Sequence, residues 1–199
     1  TKLSYDNKTF DLTCNGSSVS VQKLNQTELL NLFGSRLDGG ISVWAKNIAP
    51  AKVANYIETG FKITSENESK NSQIRIKWRE AGTSDYYVKL SNDGLDLYKE
   101  SDTGDNILLK NSDFEKLLSK WYRLKIESLS NSINIYVDDV LKIQASKTTE
   151  NNPEGISRIG LTSLYSDVQF TPVKIGTVTN SKDTNEVAVK YDYNYPVCF

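Results

Sequence analysis

The chain has 199 residues, 38% hydrophobic and 25% charged, with 24 Lys and Arg against 25 Asp and Glu for a formal net charge of −1. That balance argues against a nucleic-acid partner, which needs a basic excess, and no run approaches the roughly 20 apolar residues of a membrane-spanning helix. Histidine is absent, which removes imidazole bases, the usual serine and cysteine triads and histidine-ligated metals. Any catalysis would fall to carboxylates, lysine or tyrosine.

Taken in chain order, the elements are strands, because apolar and polar residues alternate in short runs separated by Gly, Asn, Asp and Ser. The early runs TFDLTC (9–14), SVSVQ (18–22), ISVWAK (41–46) and ANYIETGFKIT (54–64) are the less regular ones. Clearer alternation follows in SQIRIKWR (72–79), SDYYVKL (84–90) and GLDLYKE (94–100). It continues in WYRLKIESL (121–129), SINIYVDD (132–139), VLKIQAS (140–146), SRIGLTS (157–163) and DVQFTPVKI (167–175). Asn92-Asp93-Gly94 and Asp138-Asp139 read as tight hairpin turns. Ser112-Asp113-Phe114-Glu115 has the form of a capping box, predicting one short helical turn over 112–119. Residues 177–195 are polar and weakly patterned, as expected of a surface tail.

These runs predict an all-β chain folded as one domain over 1–199, a two-sheet antiparallel sandwich. Alternation sends Ile74, Ile76, Trp78, Tyr86, Val88, Leu90, Leu95 and Leu97 inward. On the later strands it sends in Tyr122, Leu124, Ile126, Ile133, Ile135, Val137, Leu141, Ile143, Ile159, Leu161, Val168 and Phe170. Trp78 and Trp121 bound apolar runs and are expected to pack at the core edge; Trp44 could pack or present its ring. The opposite positions Arg75, Lys77, Arg79, Tyr87, Lys89, Asp96, Tyr98 and Glu100 fall on three successive hairpin partners and should share one sheet face. Planar hydrogen bonders with aromatic rings suit a sugar-binding surface. A solvent-facing sheet carrying cross-strand ion pairs such as Lys89 with Asp96 has the same composition.

The two cysteines, Cys14 and Cys198, are too few for a zinc site. Either they pair or they are two separate buried thiols. Pairing is favoured because chain termini often lie close together, and it implies an oxidising compartment. Acceptor triplets begin at Asn7, Asn15, Asn25 and Asn67. The expected location is therefore extracellular, secreted or at a cell surface. No signal-peptide pattern opens the chain, and its first residue is Thr1 rather than Met, as in a processed or trimmed chain. Asp102-Thr103-Gly104-Asp105 is the nearest calcium candidate but reads as a turn, since one loop rarely supplies the roughly six to eight oxygens calcium takes. No cofactor is expected.

From about residue 40 to 176 the chain resembles the concanavalin A-like lectin/glucanase jelly-roll superfamily, nearest to accessory carbohydrate-binding modules of the fructan-binding kind and laminin G-like modules. The resemblance is carried by ANYIETGFKI, by SQIRIKWR followed by DYYVKL, by WYRLKIESLSNSINIYVDDVLKI, and by the closing ISRIGLTSLYSDVQFTPVKI. It implies a jelly roll with a concave ligand sheet, with Arg75 or Arg79, Tyr87, Tyr165 and Asp167 on or beside it. Two departures matter. The clustered acidic motif of the superfamily's glucanases is missing, with Glu58 alone in YIETGF, and Thr171-Pro172 follows Phe170 where the family often carries Asp-Asn at a calcium site. The expected function is non-catalytic recognition of a glycan. The alternatives are an adhesion or assembly domain for a cell-surface protein and, third, a glycosidase relying on a pair such as Asp96 and Glu100. The sequence leaves the oligomeric state open.

Overall fold

The computed structural model describes residues 12–14, 17–24, 27–33, 40–45, 55–80, 85–100, 106–147, 156–178, 184–188 and 191–198. Regular structure there is all strand: β1 (Leu12–Cys14), β2 (Ser17–Leu24), β3 (Thr27–Phe33), β4 (Gly40–Ala45), β5 (Tyr56–Glu66), β6 (Gln73–Glu80), β7 (Asp85–Ser91), β8 (Gly94–Glu100) and β9 (Asn106–Ser112). The second half adds β10 (Trp121–Ser128), β11 (Ser132–Val137), β12 (Val140–Ser146), β13 (Ile156–Leu164), β14 (Ser166–Phe170), β15 (Lys174–Val178), β16 (Thr184–Ala188) and β17 (Tyr191–Cys198).

They form two antiparallel sheets. One has seven strands in the order β17-β4-β13-β6-β7-β8-β9; the other has ten, ordered β1-β2-β3-β14-β5-β10-β11-β12, with β15 joining β5 and β16. The inner faces meet through Ile57, Phe61, Ile63, Leu124 and Ile126 on one side and Ile74, Ile76, Trp78, Val88 and Leu97 on the other, all fully buried. Aromatic stacking supports both layers, Phe61 on Tyr122 at 5.3 Å and Trp78 on Tyr86 at 5.6 Å between centroids. The Asp138-Asp139 turn has both residues at positive φ, the backbone of a twist-matched two-residue hairpin. Gly94, at φ 120°, opens β8 where a Cβ would meet the Ser112 carbonyl oxygen at 2.8 Å.

Several expectations are corrected. Residues 113–120 form no helical turn: Phe114 packs edge-on against Tyr122, whose hydroxyl accepts the Leu117 N–H at 2.8 Å, and Lys116 reaches Glu66. These tertiary contacts take the groups a helical turn would use. Leu141 is exposed, because β12 skips Lys142 between the pairs Ile135 with Ile143 and Tyr136 with Leu141, and this bulge turns Leu141 outward. Trp121 is also exposed, with the Lys62 ammonium 5.1 Å from its ring. The run expected over 167–175 divides into β14 and β15 around Thr171-Pro172, and the tail expected over 177–195 contains β16 and most of β17.

One polar contact ties the sheets together. Glu80, closing β6, meets Lys147, just beyond β12, at 2.5 and 2.7 Å, and accepts a hydrogen bond from the Ser128 hydroxyl. Burial holds the Lys147 ammonium below the usual lysine range despite the opposing pull of Glu80. Removing one member of a buried pair strands the other charge. Lys147→Met alone should therefore lower unfolding free energy by about 3–5 kcal/mol. Adding Glu80→Gln should recover most of that loss in urea titration, whereas simple additivity would show that the two groups do not act as a pair.

Candidate functional site

On β6, β7 and β8, residues that alternate with the core residues form a three-by-three lattice on the outer face of the seven-stranded sheet. Register sets its rows: Arg75, Lys89 and Asp96; Lys77, Tyr87 and Tyr98; Arg79, Asp85 and Glu100. Strand β13 extends the rows with Thr162, Gly160 and Arg158, and β4 adds Ser42 beside Thr162. Strand β9 borders the other side, with Leu108 against Tyr98 after a bulge that skips Leu109.

The middle of the lattice is aromatic. The Tyr87 and Tyr98 rings stack at 4.9 Å and 12°. The Arg75 guanidinium lies 5.5 Å from the Tyr87 ring and the Lys89 ammonium 5.3 Å from that of Tyr98. Tyr87 is only 6% exposed, so its ring supports the lattice, and Tyr98 is the more accessible of the two. Burial pushes the Tyr87 hydroxyl up in pKa, partly offset by the Arg75 charge.

Ion pairs hold the surrounding groups. Lys89 meets Asp96 at 2.8 Å, and the Tyr98 hydroxyl lies 3.4 Å from the same ammonium. Burial alone would lower the Lys89 pKa, but the bonds to Asp96 and Tyr98 outweigh it and leave it raised. Arg79 grips Asp85 through two bonds of 2.5 and 2.9 Å, while Lys77 bridges Asp85 at 3.2 Å and Glu100. The Asp85 hydrogen bond is the largest cause of a raised Arg79 pKa. Burial pushes the Asp85 carboxyl up, yet the bonds and charges of Arg79 and Lys77 hold it below its ordinary value.

The structure thus brings together seven of the nine expected ligand residues: Arg75, Lys77, Arg79, Tyr87, Lys89, Asp96 and Tyr98. It sets Tyr165 and Asp167 apart from them. Tyr165, at φ 53°, lies in the turn between β13 and β14, and its carbonyl accepts from Asn67 and Ser72. Asp167 belongs to the ten-stranded sheet and accepts from the Ser65 hydroxyl at 2.5 Å. Sequence reading missed Asp85 and Gln73 because strand ends show no alternation to mark them. Asn67 lies on a turn, its Oδ1 accepting from the Ser69 amide and hydroxyl. Asn7, Asn15, Asn25 and the Asp102–Asp105 loop lie outside the described residues, as do the side chains of Cys14, Cys198 and Trp44. Among the described residues no three His, Cys, Asp or Glu side chains cluster as metal ligands.

No protein-family model matches the sequence, and no curated protein matches it. Solved structures do match the fold. A GH16 protein of the Bacteroides ovatus mixed-linkage-glucan PUL, in complex with a product, superposes with TM-score 0.55 at 10% identity over 79% of this chain and 84% of that one. Sheep galectin-11, in complex with glycerol, gives TM-score 0.50 at 12% identity over 65% and 94%. A carbohydrate-binding module from Bacillus subtilis gives 0.49 at 13% over 83% and 91%. These likenesses show the fold alone, a two-sheet antiparallel jelly-roll sandwich.

A group whose folded pKa is depressed stabilises the fold above its unfolded pKa and loses that contribution as pH falls through the folded one. For Asp85 the contribution is present above about pH 4, the range of an unfolded aspartate, and is lost as pH falls from there through the lower folded value. Asp85→Asn should therefore lower the melting temperature at pH 7 and narrow the difference between pH 7 and pH 3. An unchanged acid limb in thermal unfolding would contradict the pairing.

Proposed function

We propose that the chain is a non-catalytic carbohydrate-binding domain whose ligand lies across the β6–β8 face. The observation that carries the reading is the stacked Tyr87–Tyr98 pair, framed by cations and carboxylates. An aromatic surface covers the apolar face of a sugar ring, and charged side chains beside it grip hydroxyls. Because ion pairs already hold those side chains, little ordering remains to be done on binding. The galectin likeness agrees with the reading at the level of fold.

Hydrolysis fits the lattice poorly. Asp96 and Glu100 are four residues apart on one strand, about 13 Å, beyond the roughly 5.5 to 9.5 Å between glycosidase carboxyl groups. Asp85 and Glu100 are direct register partners, at about 5 Å, but both are bound to Lys77, and Asp85 is held below its ordinary pKa. A general acid needs the opposite shift.

A protein partner is the second reading, favoured by one observation. The edge strands β9 and β12 lie against each other, and Ile107, Leu108, Val140 and Leu141 are exposed on them. A glycan array on the folded chain discriminates. The carbohydrate reading expects selective binding, weakened about tenfold in Tyr98→Ala and retained in Tyr98→Phe. A blank array overturns it and leaves the edge-strand surface as the site.

The reading includes an extracellular setting with Cys14 and Cys198 bridged. Its support is that Cys14 ends β1 and Cys198 ends β17, and that β1 lies against β17 although the two belong to different sheets. Such a bridge would close nearly the whole chain and stabilise it by about 4–5 kcal/mol in the chain-entropy model. Intact mass before and after reduction should differ by two hydrogens, with a lower melting temperature after reduction. Two titratable thiols in the native protein would exclude the bridge.

A further inference from the structure

The four cations of the lattice are not equivalent. Lys77, Arg79 and Lys89 are each paired with at least one of Asp85, Asp96 and Glu100. Arg75 has no carboxylate partner among the described residues. Its hydrogen-bond acceptor is the neutral Gln73 side-chain oxygen, reached by Nε at 3.2 Å and Nη2 at 2.7 Å. We propose that the ligand of this face is an acidic glycan, and that Arg75 receives its carboxylate or sulfate group. This rests on the carbohydrate reading above and names the ligand class for it.

The geometry supports an anion receptor in three ways. Guanidinium has five N–H donors, and Gln73 engages two of them along one side. The free donors include one on each terminal nitrogen, and these form the end-on fork that matches two oxygens of a carboxylate or sulfate. The Tyr87 ring lies 5.5 Å from the guanidinium and Gln73 holds its edge, so the fork is oriented before a ligand arrives. Finally, the row neighbours do not compete for it. On one side Thr162 and Ser42 carry hydroxyls bonded to each other; on the other, Lys89 is paired with Asp96.

Charge supplies the selectivity. Arg75 is half-buried, and a neutral sugar laid over it would remove water from the cation without returning a counter-charge. An acidic sugar compensates for that loss.

The test measures affinity by calorimetry for three pairs of oligosaccharides: uronate-containing against carboxyl-reduced, sialylated against desialylated, and sulfated against desulfated. The expected result is that at least one acidic member binds about ten- to hundredfold tighter than its neutral counterpart; the pair that does so identifies the acid. That preference should vanish in Arg75→Gln and largely vanish in Arg75→Lys, which keeps the charge but loses the fork. Wild-type binding that is equal for acidic and neutral members overturns the inference while leaving the carbohydrate reading intact. A preference that survives in Arg75→Gln also overturns it. Binding of no member of any pair defeats the carbohydrate reading itself. The comparison of wild-type affinities needs no variant, so a poorly folding substitution does not remove the test.

Discussion

The register in which β7 pairs with β6 and β8 places Val88 between Ile76 and Leu97 in the core. One residue along each strand, it places Tyr87 between Lys77 and Tyr98 outside. Strand side chains have a period of two, so these two facts are one. A slip of one residue would bury Lys77 and Arg79 and expose Ile76 and Trp78, which the core does not allow. The hydrophobic contact between the sheets therefore sets which residues stand on the lattice. The ion pairs of the lattice then choose rotamers within a grid they did not create.

Polar and aromatic chemistry alone does not single out this face. The ten-stranded sheet carries a comparable group: the Lys125 ammonium lies 4.1 Å from the Tyr136 ring and 3.0 Å from Glu127, which accepts the Tyr136 hydroxyl at 3.0 Å. Burial, with the neighbouring Glu127, pushes the Tyr136 hydroxyl up in pKa. That group closes on itself, with its cation and carboxylate matched. The β6–β8 lattice differs in leaving a guanidinium that faces only a neutral acceptor. Matched pairs organise a surface, whereas an unmatched donor gives a ligand something to bind.

Where two core residues alternate on a strand, the sequence was sufficient. β6, β7 and β8 were legible with their faces, the Asn92–Gly94 turn and the Lys89–Asp96 pair, because Ile74, Ile76 and Trp78 alternate with Arg75, Lys77 and Arg79. β3 was not legible, since Leu29 and Leu30 are adjacent and both buried, so no two-residue period marks the strand. β9 was hidden by the bulge at Leu109, which breaks the alternation in ILLK, and the bulge at Lys142 reversed the expectation for Leu141. The capping-box reading failed because Glu66, on β5, and Tyr122, on the strand that follows, capture the segment. Tyr165 and Asp167 came from a resemblance; Tyr165 sits in the turn between the sheets, and Asp167 lies on β14 of the other sheet.

The orientation of Arg75 depends on a part of the molecule that the strand pattern does not describe. Gln73, which holds the guanidinium edge, follows Ser72, a fully buried residue whose hydroxyl donates to the Tyr165 carbonyl at 2.8 Å and the Asn67 carbonyl at 3.3 Å. Tyr165 in turn follows Leu164, the register partner of Gln73. Asn71 reaches across to Asp93 in the β7–β8 turn at 3.0 Å. The loop end of the sheet is thereby cross-linked on both sides of Gln73. At the opposite end, Glu80 and Lys147 fix β6 to the other sheet. β6 is thus held at both ends, and the side chains between them inherit that rigidity. The positive φ of Tyr165 belongs to this cross-link: the turn points its carbonyl at Ser72, the residue before Gln73.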